Sequence, residues 1–208
     1  MKLSDLKLET EISKSKSRNC PIIFIDNEIL PIISTLKDHG YRIENLKDVS
    51  HMNELENSKI IICDIQGVGK KYGSKYEGGH LISEIRKKFP LKYIIGCSGY
   101  SFSIEYNRFF KNCDDVIEKH VDIHMWTATI DKAIKSVNDP KYIWNKSREL
   151  LLKHNIDLKD IHKLEKAYIK SINKKNANTF KETASNIQNI SPVASIIESI
   201  LTFISFLI

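Results

Sequence analysis

Four short runs, three of them apolar and the last Asp-Val-Ile-Glu, each closed by a polar residue, constrain this chain more than any other feature. They are Pro21–Ile25 closed by Asp26, Lys59–Cys63 closed by Asp64, Tyr93–Cys97 closed by Ser98, and Asp115–Glu118 closed by Lys119. Runs of this length, rich in β-branched residues, suit strands buried on both faces. Between them the apolar spacing changes to helical. Ile29, Ile32, Ile33 and Leu36 lead to Gly40; Leu81, Ile82, Ile85 and Phe89 lead to Pro90; Ile104–Phe110 and Ile123–Val137 carry two more helical patterns. Tyr41–Ile43 reads as a further short strand and Met52–Leu55 as a short helix. Five alternations of strand and helix predict a parallel sheet with helices on both faces. In such sheets functional groups gather outside the carboxyl ends of the strands. Asp26 with Asn27, Asp64, Ser98 and Lys119 are therefore the candidate site.

Those residue types suit phosphoryl chemistry. A carboxylate at the end of the third strand can accept a phosphoryl group if nearby cations neutralise the charge. Oxygen ligands after the first strand can hold Mg²⁺. A hydroxyl and an ammonium can contact phosphoryl oxygens.

The residues that carry this pattern are Ile25-Asp26-Asn27-Glu28, Cys63-Asp64-Ile65-Gln66, Gly79–Arg86, Ile94–Tyr100 and Asp114–Lys119. Over residues 20–138 the chain resembles the response-regulator receiver (CheY-like) domains. The resemblance implies a flavodoxin-like α/β fold with five parallel strands in the order 2-1-3-4-5. It implies Asp64 as phosphoacceptor and Ser98 and Lys119 as the phosphate-binding switch pair. It implies Mg²⁺ held by Asp26, Asn27, Asp64 and the Gln66 carbonyl, and a histidine kinase or other protein as partner in a bacterial, cytoplasmic phosphorelay. The chain departs from that family at four places. Asn27 replaces a second acid and removes a negative charge, which weakens the Mg²⁺ site. His120 replaces the usual proline, Val116 takes the aromatic switch position, and the loop from Ile65 to Gly79 is long. Two alternatives stay open beside a working switch: a degenerate receiver that only binds partners, and a transcription regulator whose DNA-binding tail is not legible.

No enzymatic activity is expected. Gly67–Ser74 departs from the phosphate-loop pattern because Lys70 is followed by Lys71. No serine-hydrolase elbow is present and the histidines lack metal spacing. Four cysteines without a C-x-x-C pair point to reduced, mostly buried thiols. Residues 1–19 form a polar leader without an apolar signal core, perceptibly helical only through Leu3, Leu6 and Leu8.

Residues 139–190 read as a basic helical segment and linker. Lys141–Ser185 carries 11 Lys/Arg against 5 Asp/Glu, whereas Pro21–Pro140 carries 16 against 17. This excess is either a solvated helix face or attraction to anionic lipid or nucleic acid. Without a recognisable helix-turn-helix, nucleic acid is not the expected partner. Asp157 reads as an N-cap paired with Asp160, starting a helix through Ile161, Leu164, Tyr168 and Ile172; Asn173–Asn189 reads as a polar linker. Residues 191–208 read as a hydrophobic helix with one polar stripe of Ser195, Glu198, Ser199, Thr202 and Ser205. At about 24 Å the 16 residues from Val193 to Ile208 fall short of a ~30 Å bilayer core. The readings left open are a buried bundle helix, membrane contact on the inner face through Val193–Ile208, and assembly into a homo-oligomer.

Overall fold

The computed structural model describes residues 3–6, 18–73, 75–99, 108–187 and 191–207. They fall into two compact units. One comprises Ile12–Lys88 and Lys92–Asn138; the other comprises Met1–Glu11, Phe89–Leu91 and Asp139–Ile208.

The first unit is a flavodoxin-like α/β fold. Its strands are β1 (Ile22–Ile25), β2 (Ile43–Leu46), β3 (Ile60–Asp64), β4 (Tyr93–Ser98) and β5 (Asp115–Glu118). All pair in parallel, in the order β2-β1-β3-β4-β5. Strands β1, β3 and β4 are buried along their whole length, as continuous apolar runs demand. Helices α1 (Pro31–Asp38), α2 (Glu77–Lys88) and α3 (Ile123–Asn138) pack on the sheet. Pro31 starts α1 at the position where its missing N–H costs nothing. Along α3, Trp126, Ile130, Ala133, Ile134 and Val137 form the buried stripe, with Trp126 against Phe24 at 5.8 Å between ring centroids.

Three boundaries differ from the sequence reading. Strand β2 begins at Ile43 rather than Tyr41, because the buried Tyr41 ring sends its hydroxyl to donate to Asp131 Oδ1 at 2.7 Å. Helix α2 begins at Glu77, four residues before Leu81, so the long loop is shorter than expected. Gly78 permits this early start. A Cβ on it would lie 2.0 Å from the Asp64 carbonyl oxygen, so only glycine lets the helix abut the end of β3. Of the segment expected to be helical from Ile104, only Arg108–Phe110 is described, and it is helical; residues 100–107 lie outside the described residues.

The second unit is a helical bundle of α4 (Pro140–Lys153), α5 (Leu158–Asn173), α6 (Asn178–Ser185) and α7 (Ala194–Leu207), joined by a turn at Leu3–Asp5. Asp139 caps α4 by accepting from Lys141 N, and Asp157 caps α5 by accepting from Lys159 N at 2.7 Å. The expected Asp157–Asp160 box is absent, since Asp160 ion-pairs with Lys163 instead. Trp144 stacks on Tyr168 at 5.1 Å, and Tyr168 meets Phe180 edge-on at 6.4 Å. The polar linker expected over Asn173–Asn189 contains helix α6 at its centre. Phe180 and Ala184 anchor it to the core, and Phe180 N donates to Ser171 Oγ at 3.0 Å.

Residues 139–190 and 191–208 are thus parts of one core rather than separate pieces. Helix α7 buries Ile196, Ile197, Ile200, Phe203 and Ile204 in the cluster that contains Trp144, Leu164, Tyr168 and Phe180. Glu198, Thr202 and Ser205 are exposed and Ser195 and Ser199 half-buried, so the polar stripe faces water. The bundle core covers Ile196, Ile197, Ile200, Phe203 and Ile204 of the apolar surface that suggested a membrane contact, while Phe206 is exposed. No helix among the described residues is long and apolar enough to cross a membrane. Ile200, fully buried, should cost roughly 2–5 kcal/mol when truncated to Ala. Glu198→Ala should stay within about 0.5 kcal/mol. Urea midpoints of the two variants check this; equal midpoints would contradict the packing of α7.

Candidate functional site

The sheet order places the ends of β1 and β3 side by side, with β4 and β5 following on the same side. Ile25 is level with Cys63, Asp64 with Cys97, and Ser98 with Glu118. Asp26, Asp64, Ser98 and Lys119 therefore end four adjacent strands on one edge. Three of them meet. Lys119 Nζ lies 2.7 Å from Asp26 Oδ2 and 2.7 Å from Asp64 Oδ2. All three groups are withdrawn from water: Asp26 is 0% exposed and Asp64 4%. Asp26 Oδ1 accepts from Glu28 N at 2.9 Å, which fixes its rotamer, and Gln66 N lies 3.4 Å from Asp64 Oδ1.

Asn27 is exposed, and Gly67 packs beneath its side chain. A Cβ at Gly67 would lie 2.5 Å from Asn27 Oδ1, and the φ of +75° there favours glycine as well. Ser98 is buried at the end of β4, and its carbonyl accepts from Lys119 N at 2.8 Å, which holds the β5 end against β4. A cavity of about 310 Å³ opens on this edge, lined by Asn27, Gln66, Asp64, Lys119 and His120 among others. Asp26 and Ser98 are not on its wall.

The electrostatics follow from burial. Burial disfavours the Lys119 ammonium, but hydrogen bonds to Asp26 and Asp64 outweigh it and hold the amine above its ordinary pKa. Burial pushes the Asp64 carboxyl up, against the downward pull of Lys119. One ammonium between two carboxylates leaves the trio with a net charge of −1, and Asn27 adds nothing to it. Among the described residues no three His, Cys, Asp or Glu side chains gather as a ready metal cluster.

Two residues that hold the site escaped the sequence reading. Asp48, after β2, accepts from Gly69 N at 2.6 Å and Lys70 N at 3.2 Å. Glu77 accepts from Gly67 N. Together they fix the loop after Asp64 and occupy the Gly67, Gly69 and Lys70 amides. An isolated acid before Val49 carries no spacing signal for Asp48; Glu77 ahead of Gly78-Gly79 could have been read as a helix-start acid. Ser74 and Tyr100 lie outside the described residues. The four cysteines are free, and burial pushes the Cys20 thiol up to about 11 and Cys113 up to about 12.

No protein-family model and no curated protein matches the chain. Among solved structures it is similar to the receiver domain of NtrX from Brucella abortus, at 22% identity over 55% of this chain and 98% of that one, TM-score 0.47. A response regulator receiver domain protein (CheY-like) from Methanospirillum hungatei matches at 22% identity over 56% of this chain and 94% of that one, TM-score 0.47. A response regulator from Thermotoga maritima matches at 18% identity over 57% and 99%, TM-score 0.47. No chemistry transfers on such likeness; it rests on this chain's own residues.

Removing the ammonium should leave two buried carboxylates uncompensated. Lys119→Met is expected to destabilise the α/β unit by about 3–5 kcal/mol at neutral pH. With its folded pKa raised, Lys119 contributes stability below its unfolded pKa and loses it as pH rises through the folded value. In Lys119→Met the orphaned carboxylates instead favour protonation, so the deficit should narrow as pH falls toward about 5. Urea unfolding at the two pH values checks this; a variant as stable as wild type would contradict the buried trio.

Proposed function

We propose that the α/β unit is a receiver-type signalling switch in which Asp64 accepts a phosphoryl group. The observation that carries this reading is the Lys119 ammonium held at 2.7 Å from both the Asp26 and Asp64 carboxylates beside an open cavity. In the proposed step an Asp64 carboxylate oxygen attacks phosphorus. The new O–P bond forms as the bond from phosphorus to the donor breaks, and the donor leaves with the electron pair: acetate from acetyl phosphate, or the imidazole of a phosphohistidine. Lys119 keeps its proton and donates to a phosphoryl oxygen, and the Ser98 hydroxyl is the second donor proposed for the product. The role is non-enzymatic, and the partner is a histidine kinase or another phosphoryl-donor protein.

The donor set suits Mg²⁺, which takes oxygen ligands, needs only one or two carboxylates and keeps several waters. Asp26, Asp64, Asn27 and the Gln66 carbonyl are the proposed ligands. Bound there, Mg²⁺ would offset the charge of the transferring phosphoryl group. Asn27 supplies an amide oxygen but no charge, and Lys119 already neutralises one of the two carboxylates, so affinity is expected to be low.

A second reading draws on that same bridge. A trio whose charges offset one another also suits a receiver-like module that binds partners without phosphorylation. Acetyl phosphate with Mg²⁺ separates the two. The first reading expects a mass increase of one phosphoryl group, labile to hydroxylamine as an acyl phosphate is, and absent in Asp64→Asn. Wild type without labelling at high Mg²⁺ would leave the interaction module. Independently, Asn27→Asp should tighten Mg²⁺ binding by calorimetry, because one more carboxylate favours a hard dication; unchanged or weaker binding would remove Asn27 from the metal site.

A further inference from the structure

The positive charge of the chain has a specific location in the fold. Helix α5 turns one face to the bundle core through Ile161, Leu164, Tyr168 and Ile169. At about 100° per residue, Lys159, His162, Lys163, Lys166, Lys170 and the C-capping Lys174 fall within an arc of about 120° on the opposite face. All six are exposed. No acid lies in that arc. Asp160 sits at its edge, paired with Lys163 at 2.7 Å, and Glu165 points away, accepting from Trp144 Nε1 at 2.8 Å. Among the described residues, Lys159, Lys166, Lys170 and Lys174 have no carboxylate within ion-pair distance. The result is a band of basic side chains, five of them lysines, along about 22 Å of helix.

We propose that this face of α5 binds the phosphate backbone of duplex DNA without reading its sequence. Lysine contacts phosphate as a point charge. The arc holds no arginine, glutamine or glutamate to fork onto a base edge, and the Asn173 amide within it donates to the Asp5 carbonyl at 3.0 Å. His162 is the one aromatic side chain in the arc, too few to stack successive unpaired bases, which disfavours a single strand. An anionic lipid surface would reward an apolar face beside the charges, but the apolar face of α5 is buried in the core. A protein interface of this length would need an apolar centre, and the arc has none. The charge excess first visible in the sequence is therefore more than a solvated face, and nucleic acid returns as a partner.

The test uses the full chain and a fluorescent duplex of mixed sequence, read by anisotropy across a KCl series. With five phosphate contacts the slope of log K against log salt should be about −4.5, or about a 500-fold loss between about 50 and about 200 mM. The triple variant Lys163→Gln/Lys166→Gln/Lys170→Gln should bring the slope to about −2. Its thermal midpoint should match wild type, because all three side chains are exposed; if it does not fold, Lys166→Gln alone should reduce the slope by about 1. Two duplexes of unrelated sequence should bind alike, and phosphatidylserine vesicles should not sediment the protein at the same salt. Absence of duplex binding at low salt, an unchanged slope in the variants, preference for one duplex by tenfold or more, or vesicle binding lost in the same variants would each overturn the proposal.

Discussion

A buried ammonium shared by two carboxylates is the interaction around which the α/β unit is arranged. Asp26 and Asp64 end neighbouring parallel strands, so their charges are forced together at one sheet edge. Both are nearly inaccessible to water, and such a pair is tolerable only when a cation lies between them. Lys119 is that cation, delivered by the outer strand β5 and held in register by its own backbone N–H on the Ser98 carbonyl. The same groups that stabilise the edge are those a phosphoryl group would engage. Structure and proposed chemistry therefore compete for one ammonium.

Around this trio the chain spends glycines and acids on position. Gly78 lets helix α2 touch the end of β3, Gly67 leaves room for Asn27, and Asp48 and Glu77 tie down the loop amides. Arg86 adds a half-buried pair to Asp114 at 2.6 Å and donates to the Asn112 carbonyl, which fixes the approach to β5 and hence Lys119. The loop after Asp64 is thus held from several sides rather than left as a free flap.

The central strands were legible because parallel strands buried on both faces read as continuous apolar runs; Asp26, Asp64 and Ser98 were legible because each closes such a run, and Lys119 because it follows the short mixed run Asp115–Glu118. Their grouping into a trio was not, since Lys119 lies far from Asp26 and Asp64 in sequence and only strand order brings them together. Helix α6 was missed because only Phe180 and Ala184 mark its buried side among polar neighbours. The tail was readable as an apolar helix, with a buried bundle helix one of the readings its sequence left open. Hydropathy reports that Ile200 and Phe203 must be covered, and only the tertiary fold shows that the cluster around Trp144 and Tyr168 covers them. The lysine arc of α5 was visible as net charge, but its alignment on one exposed face needed the helix bounds.

Phosphoryl acceptance requires the Asp64 oxygen and the Lys119 ammonium to close around a phosphoryl group. Fluorine NMR of the full chain with Mg²⁺ and beryllofluoride asks this directly, because the mimic bonds to the same carboxylate oxygen. A bound resonance that vanishes in Asp64→Asn is the predicted result. A spectrum of free beryllofluoride alone, with the wild-type chain folded and Mg²⁺ in excess, would contradict it.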